Sequence, residues 1–342
     1  MSMRKCYLFF IFCLLLSGLS VRAQDMVADN MVLYQRSSGG WPKHIGNERI
    51  DYTKKLSEAE KAGLIDDASM NDATIDNDAT NKEIRYLVKA FKQTGNTRYL
   101  ASAETGVRYL LKAQYANGGW PQFYPDTSLY RSEVTYNDNA MVNTLNVLYD
   151  LSLQVNDMEV MNAGLRAPAA EAVKKGVGCI LVTQVRVNGV LTSWCAQYDR
   201  ITLQPAKARS YELVSLSGEE SVGIVEFLMR LPHPTAAIKD AVSSAVAWFR
   251  KVKIEGYKYV NIADPKQPNG RDRVIQPEAG SVIWARFYEI GTDRPFFSGR
   301  DGIKKYTVAE IEHERRNGYA WYGTWPLQLI NEKYPAWLAS TR

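Results

Sequence analysis

The sequence predicts an all-α fold of helical hairpins packed around a cleft, and three observations predict it. Apolar residues recur at helical spacing in roughly ten segments. Strand candidates are short, the clearest covering residues 257–262. The helical segments are separated by long loops, 117–135, 193–215, 261–277 and 292–306, a length that in a compact domain is usually functional.

The elements follow in chain order. Residues 1–23 read as a secretory leader, with Arg4 and Lys5 as the basic start and Tyr7 to Leu16 as the apolar run. Val21-Arg22-Ala23 supplies a small-x-small cleavage site. The run is too short to span a bilayer well and has no second copy, so no membrane span is expected. Cys13 lacks the preceding small residue of a lipidation site, which leaves the periplasm or the medium as the destination. Thr80-Asn81-Lys82-Glu83 reads as a capping box opening a helix with Ile84, Leu87, Val88 and Phe91 on one face. Residues 101–115 continue with Val107, Leu110 and Leu111. Asn137 or Asp138 caps a helix carrying Met141, Val142, Leu145, Leu148 and Tyr149. Further helices are expected over 171–185, from a second capping box at Ser217-Gly218-Glu219-Glu220 to Leu231, and over 235–252, 278–290, 307–316 and 325–334.

A repeat overlies this pattern. Gly39-Gly40-Trp41-Pro42 recurs as Gly118-Gly119-Trp120-Pro121, with a degenerate copy at Gly323-Thr324-Trp325-Pro326. Glycines allow a tight turn, indole offers a flat apolar face and proline stiffens the exit. Such a unit suits either the wall of a carbohydrate cleft or a packing device at a helix corner.

Charge excludes little by its total and more by its distribution. The formal net charge of +5 falls to +2 without the leader, so global basicity is no argument for a nucleic-acid partner. Residues 24–160 hold 14 Lys and Arg against 19 Asp and Glu, while residues 161–342 hold 25 against 18. An acidic cation site can therefore face a basic, anion-binding surface. Cys179 and Cys195 alone remain after the leader, compatible with one disulfide or two buried thiols. About 319 residues with no Ser/Gly linker suggest a single catalytic domain, 24–342, with a monomer as the default.

Three histidines, His44, His233 and His313, lack ligand spacing, and no Gly-x-Ser-x-Gly, phosphate loop or dinucleotide fingerprint occurs. Two acidic clusters remain at helix mouths: Thr74-Ile75-Asp76-Asn77-Asp78-Ala79-Thr80 and Thr135-Tyr136-Asn137-Asp138-Asn139-Ala140-Met141. Helix capping alone accounts for part of this, but with Thr80 as cap, Asp76 to Asp78 are surplus to it. Carboxylates with amide oxygens suit a hard cation such as Ca2+, whereas Asp76 and Asp138 as an acid/base pair suit glycoside hydrolysis. A non-catalytic binder of acidic oligosaccharides is a third reading. Arg209, Arg286 and Arg300 lie in basic segments whose guanidinium forks match carboxylates, although each singly is as readily a salt-bridged surface residue.

Across nearly its whole mature length the chain resembles family 10 of the polysaccharide lyases, the pectate lyases. The resemblance rests on both Gly-Gly-Trp-Pro units, both acidic clusters and Trp194-Cys195-Ala196-Gln197-Tyr198-Asp199. It also rests on Ala208-Arg209-Ser210-Tyr211-Glu212, Leu216-Ser217-Gly218-Glu219-Glu220-Ser221, Trp284-Ala285-Arg286-Phe287-Tyr288 and Ser298-Gly299-Arg300-Asp301-Gly302. It implies an (α/α) toroid-like helical barrel with irregular regions forming a cleft, and Ca2+-dependent β-elimination of de-esterified polygalacturonate. By motif it implies Asp76 and Asp138 as Ca2+ carboxylates with Asn77 beside them at the substrate. It further implies Arg300 as the base, and Arg209 and Arg286 as ligands of substrate carboxylates. Asn139 stands where the resemblance implies an acidic residue, which weakens the expected affinity of the free protein for calcium.

Overall fold

In chain order the helices up to residue 251 are α1 Met26–Tyr34, α2 Glu58–Asp66, α3 Asn81–Thr94, α4 Thr97–Ala113, α5 Ala140–Leu153, α6 Arg166–Thr183, α7 Glu220–Met229 and α8 Ala236–Lys251, and a short one, His313–Gly318, follows later. The computed structural model describes residues 24–341, and the expected leader, 1–23, lies outside them. Consecutive helices pair as α3–α4, α5–α6 and α7–α8, and the first member of each pair also packs along an inner row, α3 on α5 and α5 on α7. Local chemistry sets the turns. Gly95 ends α3 in the left-handed region at φ 68°, and the Asn96 side chain accepts the Arg98 N–H at 3.1 Å to start α4. Thr235 caps α8 in the same way through the Ile238 N–H.

The all-α, toroid-like expectation is corrected by the sheets. The chain is about 48% helix and 17% strand, with six small sheets among the described residues. The largest departure is an antiparallel hairpin, Ile254–Ala263 with Arg271–Ala285, irregular between Pro277 and Val282. Residues 278–290, expected as a helix, instead hold the end of this hairpin and a further short strand, Phe287–Tyr288. Pro277, Gly280 and the β-branched Val282 and Ile283 all disfavour a helix there, and the partner strand supplies the hydrogen bonds that a helix would have made internally. The strand expected over 257–262 is present and longer. Near the C-terminus, Pro326–Gln328, Leu329–Lys333 and Tyr334–Ser340 follow one another as a helix with a π-turn at its centre.

The capping box expected at Thr80 is also corrected. Thr80 has φ 67° and makes no cap. Its hydroxyl donates to the Thr74 carbonyl at 2.8 Å and accepts the Trp41 N–H at 3.0 Å, binding the helix mouth to the first Gly-Gly-Trp-Pro turn. Cys179 and Cys195 are buried free thiols, so no disulfide joins them.

Tryptophan anchoring organises the core. Trp41, Trp120, Trp194 and Trp284 are buried to within 1% of full burial, and each indole N–H donates to a carbonyl of a preceding helix. The acceptors are Met31 of α1 at 2.7 Å, Leu110 of α4 at 2.8 Å, Ile180 of α6 at 2.8 Å and Phe249 of α8 at 2.8 Å. The glycines permit this. Gly39 and Gly118 take positive φ, and a Cβ on Gly39 would stand 2.8 Å from the Thr105 carbonyl, while one on Gly118 would strike that of Lys175. Trp325 of the degenerate copy is only partly buried, so the structural equivalents of the repeat are Trp194 and Trp284.

Candidate active site

The tryptophan units place three helix mouths side by side. After each anchor the chain returns so that the Trp41 carbonyl accepts the Thr74 N–H at 3.0 Å, the Trp120 carbonyl that of Thr135 at 3.1 Å, and the Trp194 carbonyl that of Ser217 at 2.7 Å. The segments leading into α3, α5 and α7 are therefore equivalent. The first two share an unusual turn: Asn77 (φ 50°, ψ 40°) and Asp138 (φ 51°, ψ 31°) both lie in the left-handed region, which Asn and Asp tolerate better than other non-glycine residues. Asp76 corresponds to Asn137 and Asn77 to Asp138, and the two turns pack together. The third mouth contributes Glu219 and Glu220, which the sequence presented as a capping box and as part of a motif of the resemblance, with no role of their own.

Asp76, Asp138, Glu219 and Glu220 at these mouths each have a cation partner. Lys43, directly after the first Gly-Gly-Trp-Pro, pairs with Asp76 Oδ2. Asp76 is 3% exposed, its other oxygen, Oδ1, has no partner, and Thr135 Oγ1 and Asn139 Oδ1 are likewise buried and unpartnered. Asp138 accepts from Asn137 Nδ2 at 2.8 Å and meets Arg286 Nη2 at 3.1 Å. Arg286, expected on a helix, follows directly after the second hairpin strand. There it faces Glu219 at 2.9 Å and bonds Glu220, with its guanidinium 4.6 Å from the Tyr319 ring centre. Burial alone would ease the proton off Arg286, but Glu220, Tyr319, Glu219 and Asp138 together hold its pKa well above the ordinary value. Burial, Glu220 and Asp138 push the Glu219 carboxyl up to about 8 against the opposing pull of Arg286.

A second basic group lies beyond Tyr319. The Tyr319 hydroxyl donates to Glu212 Oε1 at 3.2 Å, and Glu212 pairs with Arg209, whose Nε lies 2.7 Å from Oε2. Arg209, Arg300 and Arg315 all stand around the Tyr211 ring, with guanidinium carbons 4.9, 5.9 and 4.6 Å from its centre. Arg300 is the most exposed of the three, at 62%, and bonds Glu314 at 3.1 Å. The structure thus joins Asp138, Arg286 and Arg209 through Tyr319 and Glu212, and sets Arg300 on the same tyrosine as Arg209. Asp76 and Asn77 enter from the adjacent mouth. Sequence reasoning missed the roles of Lys43, Glu219, Glu220, Tyr319 and Arg315. Spacing could not mark Glu219 and Glu220 as a third copy, because Trp41 to Thr74, Trp120 to Thr135 and Trp194 to Ser217 are 33, 15 and 23 positions apart.

Among the described residues no three His, Cys, Asp or Glu side chains converge as a metal-holding group, and no helix is long and apolar enough to cross a membrane. The oxygens present are nonetheless hard donors, and the unpartnered Asp76 Oδ1 fits a divalent cation whose coordination is completed from outside the protein.

No curated protein matches the chain. Among solved structures it is similar to the family 10 polysaccharide lyase from Cellvibrio cellulosa, with 38% identity over 90% of this chain and 91% of that one and a TM-score of 0.76. A point mutant of that lyase, in complex with trigalacturonic acid, matches with the same identity and TM-score over 92% of its length. The profile of the pectic acid lyases matches residues 35–330. With its fold, its row of acidic helix mouths and this match over most of its length, the chain belongs to the pectic acid lyase family, and it is a pectate lyase.

Proposed function

We propose that the enzyme is exported by residues 1–23 and acts as a monomeric single domain, residues 24–342, on de-esterified polygalacturonate. It cleaves by Ca2+-dependent β-elimination to give 4,5-unsaturated oligogalacturonates. The observation that carries this reading is the opposition of two acidic helix mouths, Asp76 and Asp138, to arginines Arg286, Arg209 and Arg300 connected through Tyr319 and Tyr211.

Asp76 and Asp138, with Asn77 beside them, would hold the Ca2+, which when bound supplies positive charge against the galacturonate carboxylate. Among the described residues no third carboxylate converges with them, so the substrate carboxylate would help to hold the ion. Arg286 and Arg209 orient uronate carboxylates through their forks and stabilise the negative charge that develops when C5 loses its proton. Arg300, in neutral form, takes that proton. The C5–H electron pair becomes the C4–C5 double bond, the C4–O bond breaks, and the departing oxygen acquires a proton. A guanidinium gives up its proton only reluctantly, so activity rises into the alkaline range. Arg209 is a second reading for the base, favoured by its link to the Asp138 end of the site through Glu212 and Tyr319; both guanidiniums are paired, Arg209 with Glu212 and Arg300 with Glu314.

Polygalacturonate with Ca2+ tests the proposal. A lyase gives an ultraviolet-absorbing product that EDTA suppresses. Reducing ends without absorbance would replace the reading by hydrolysis, with Asp76 and Asp138 as acid and base, and neither signal would leave a binding protein.

A further inference from the structure

Lys43 stands two residues after Trp41, and the same place after Trp120, Trp194 and Trp284 is taken by Gln122, Ala196 and Arg286. The later three positions are equivalent in space as well. The Gln122 carbonyl accepts the Ile75 N–H at 3.1 Å, the Ala196 carbonyl that of Tyr136 at 2.8 Å, and the Arg286 carbonyl that of Gly218 at 2.8 Å. Each tryptophan unit after the first therefore closes the helix mouth that precedes its own. The fold accepts an amide at Gln122 and a methyl group at Ala196, both buried, where the first and last units carry a cation. Packing does not ask for the lysine.

The two cations of this series are held very differently. Arg286 is 4% exposed and shared by Asp138, Glu219 and Glu220. The Lys43 side chain is 26% exposed, and among the described residues Asp76 is its one ion-pair partner. Its ammonium otherwise lies 6.0 Å from the Phe123 ring centre. On its flexible four-carbon stem it can leave Asp76 while the backbone stays anchored by Trp41. Asp76 is buried, and Lys43 meets only its Oδ2, whereas Oδ1 is closed off from solvent without a partner. An ammonium thus engages half of a carboxylate that a hard divalent cation can take by both oxygens. A buried carboxylate with no cation is costly, and Lys43 removes that cost in the free protein. Two cations on the one carboxylate would repel each other strongly where water is scarce, so the second displaces the first.

We propose that Lys43 is a built-in competitor of calcium at Asp76. It neutralises the carboxylate in the free enzyme and gives it up for the ion to bind. Once displaced, it lacks a partner until an anionic uronate arrives, so calcium and substrate bind together. The proposal rests on the reading of Asp76 as a calcium ligand.

The test is calorimetric titration of the full enzyme with calcium, without substrate and then with saturated digalacturonate. Lys43→Gln removes the charge and installs the residue of the second unit, and Lys43→Arg keeps the charge. Lys82→Gln is the control, since Lys82 lies beside the same helix mouth and pairs with Glu83 rather than Asp76. Without substrate, Lys43→Gln should bind calcium about tenfold tighter than the parent, with Lys43→Arg and Lys82→Gln within about threefold of it. Digalacturonate should tighten calcium binding in the parent and do so several-fold less in Lys43→Gln. In EDTA, Lys43→Gln should melt below the parent and recover more on adding calcium. Unchanged or weaker calcium binding by Lys43→Gln, or an equal gain in Lys43→Arg or Lys82→Gln, would overturn the proposal. Calcium binding by none of the four proteins defeats the calcium reading and this one together. An EDTA-sensitive unsaturated product with no gain in Lys43→Gln defeats the role of Lys43 alone. A gain without product defeats the lyase reading and leaves Lys43 standing.

Discussion

Replacing Trp120 by alanine tests whether the Gly-Gly-Trp-Pro unit is architecture or a sugar platform. The indole is fully buried and donates to the Leu110 carbonyl at 2.8 Å, so no face is available to a ligand. Truncating a buried Trp costs about 3–5 kcal/mol, to which the stranded carbonyl adds about 1. Unfolding entropy near 2 cal/mol/K per residue gives roughly 0.7 kcal/mol/K for a chain of this length, so a loss of about 4–6 kcal/mol lowers Tm by about 6–9 °C. Trp41→Ala and Trp194→Ala should fall in the same range, although Trp194 lies outside any Gly-Gly-Trp-Pro string. Trp325→Ala, at a partly buried position, should cost only about 1–2 kcal/mol. Thermal unfolding gives the ranking, and titration with oligogalacturonate below each Tm gives affinity. A Trp120→Ala enzyme that keeps its Tm and loses substrate affinity would refute the reasoning and restore the platform.

Three further outcomes are expected. Burial raises the Glu83 carboxyl from 4.5 to about 7 despite the hydrogen bond from Tyr52. A raised carboxyl holds its proton longer in the folded state, so its contribution is full below pH 4.5 and is lost as pH climbs to about 7, on the order of 3 kcal/mol. Glu83→Gln should flatten that slope in denaturant melts between pH 4.5 and 8; an unchanged slope would show that the carboxyl is not responsible. Cys179 and Cys195 are buried with pKa values raised to about 11 and about 12, so a thiol reagent should modify neither in the native enzyme, and reductant should leave Tm unmoved. Finally, Arg300→Ala and Arg209→Ala should separate the two readings of the base. The true base shows abolished elimination with oligogalacturonate affinity largely kept, and the other variant shows weakened affinity with residual turnover. Full turnover in both would remove arginine from the proton transfer.

How far the chain could be read locally differs between elements. The helices from Asn81 to Lys251 announce themselves because their periodicity and several of their caps, Gly95, Asn96 and Thr235 among them, act within a few residues, whereas α1 and α2, nine residues each, were not read from the sequence. The hairpin strand Arg271–Ala285 escaped because its hydrogen bonds lie on a partner strand, and its spacing alone mimics a short apolar helix turn. Thr80 failed as a cap for the same reason: its hydroxyl is taken by Trp41 and Thr74, one of them 39 positions away. In the site, Asp76 and Asp78 were visible as acids in excess of capping needs, while Asp138 read as a candidate helix cap and took its role, with Asn77, from the family resemblance. Glu219 and Glu220 were hidden, because a capping box accounted for them fully until Arg286 was seen to bind both.

The sequence by itself determined the helical hairpins from α3 to α8, the Gly-Gly-Trp-Pro repeat, the two acidic clusters and the family, since each depends on residue type at short spacing. Only the tertiary structure decided that the helices share the fold with six sheets, that Trp194 and Trp284 are the true copies of the repeat, and that Arg286 closes on Asp138 from 148 positions away. Charge pairing and strand register are set by what lies opposite in space, and short-range patterns carry no record of it.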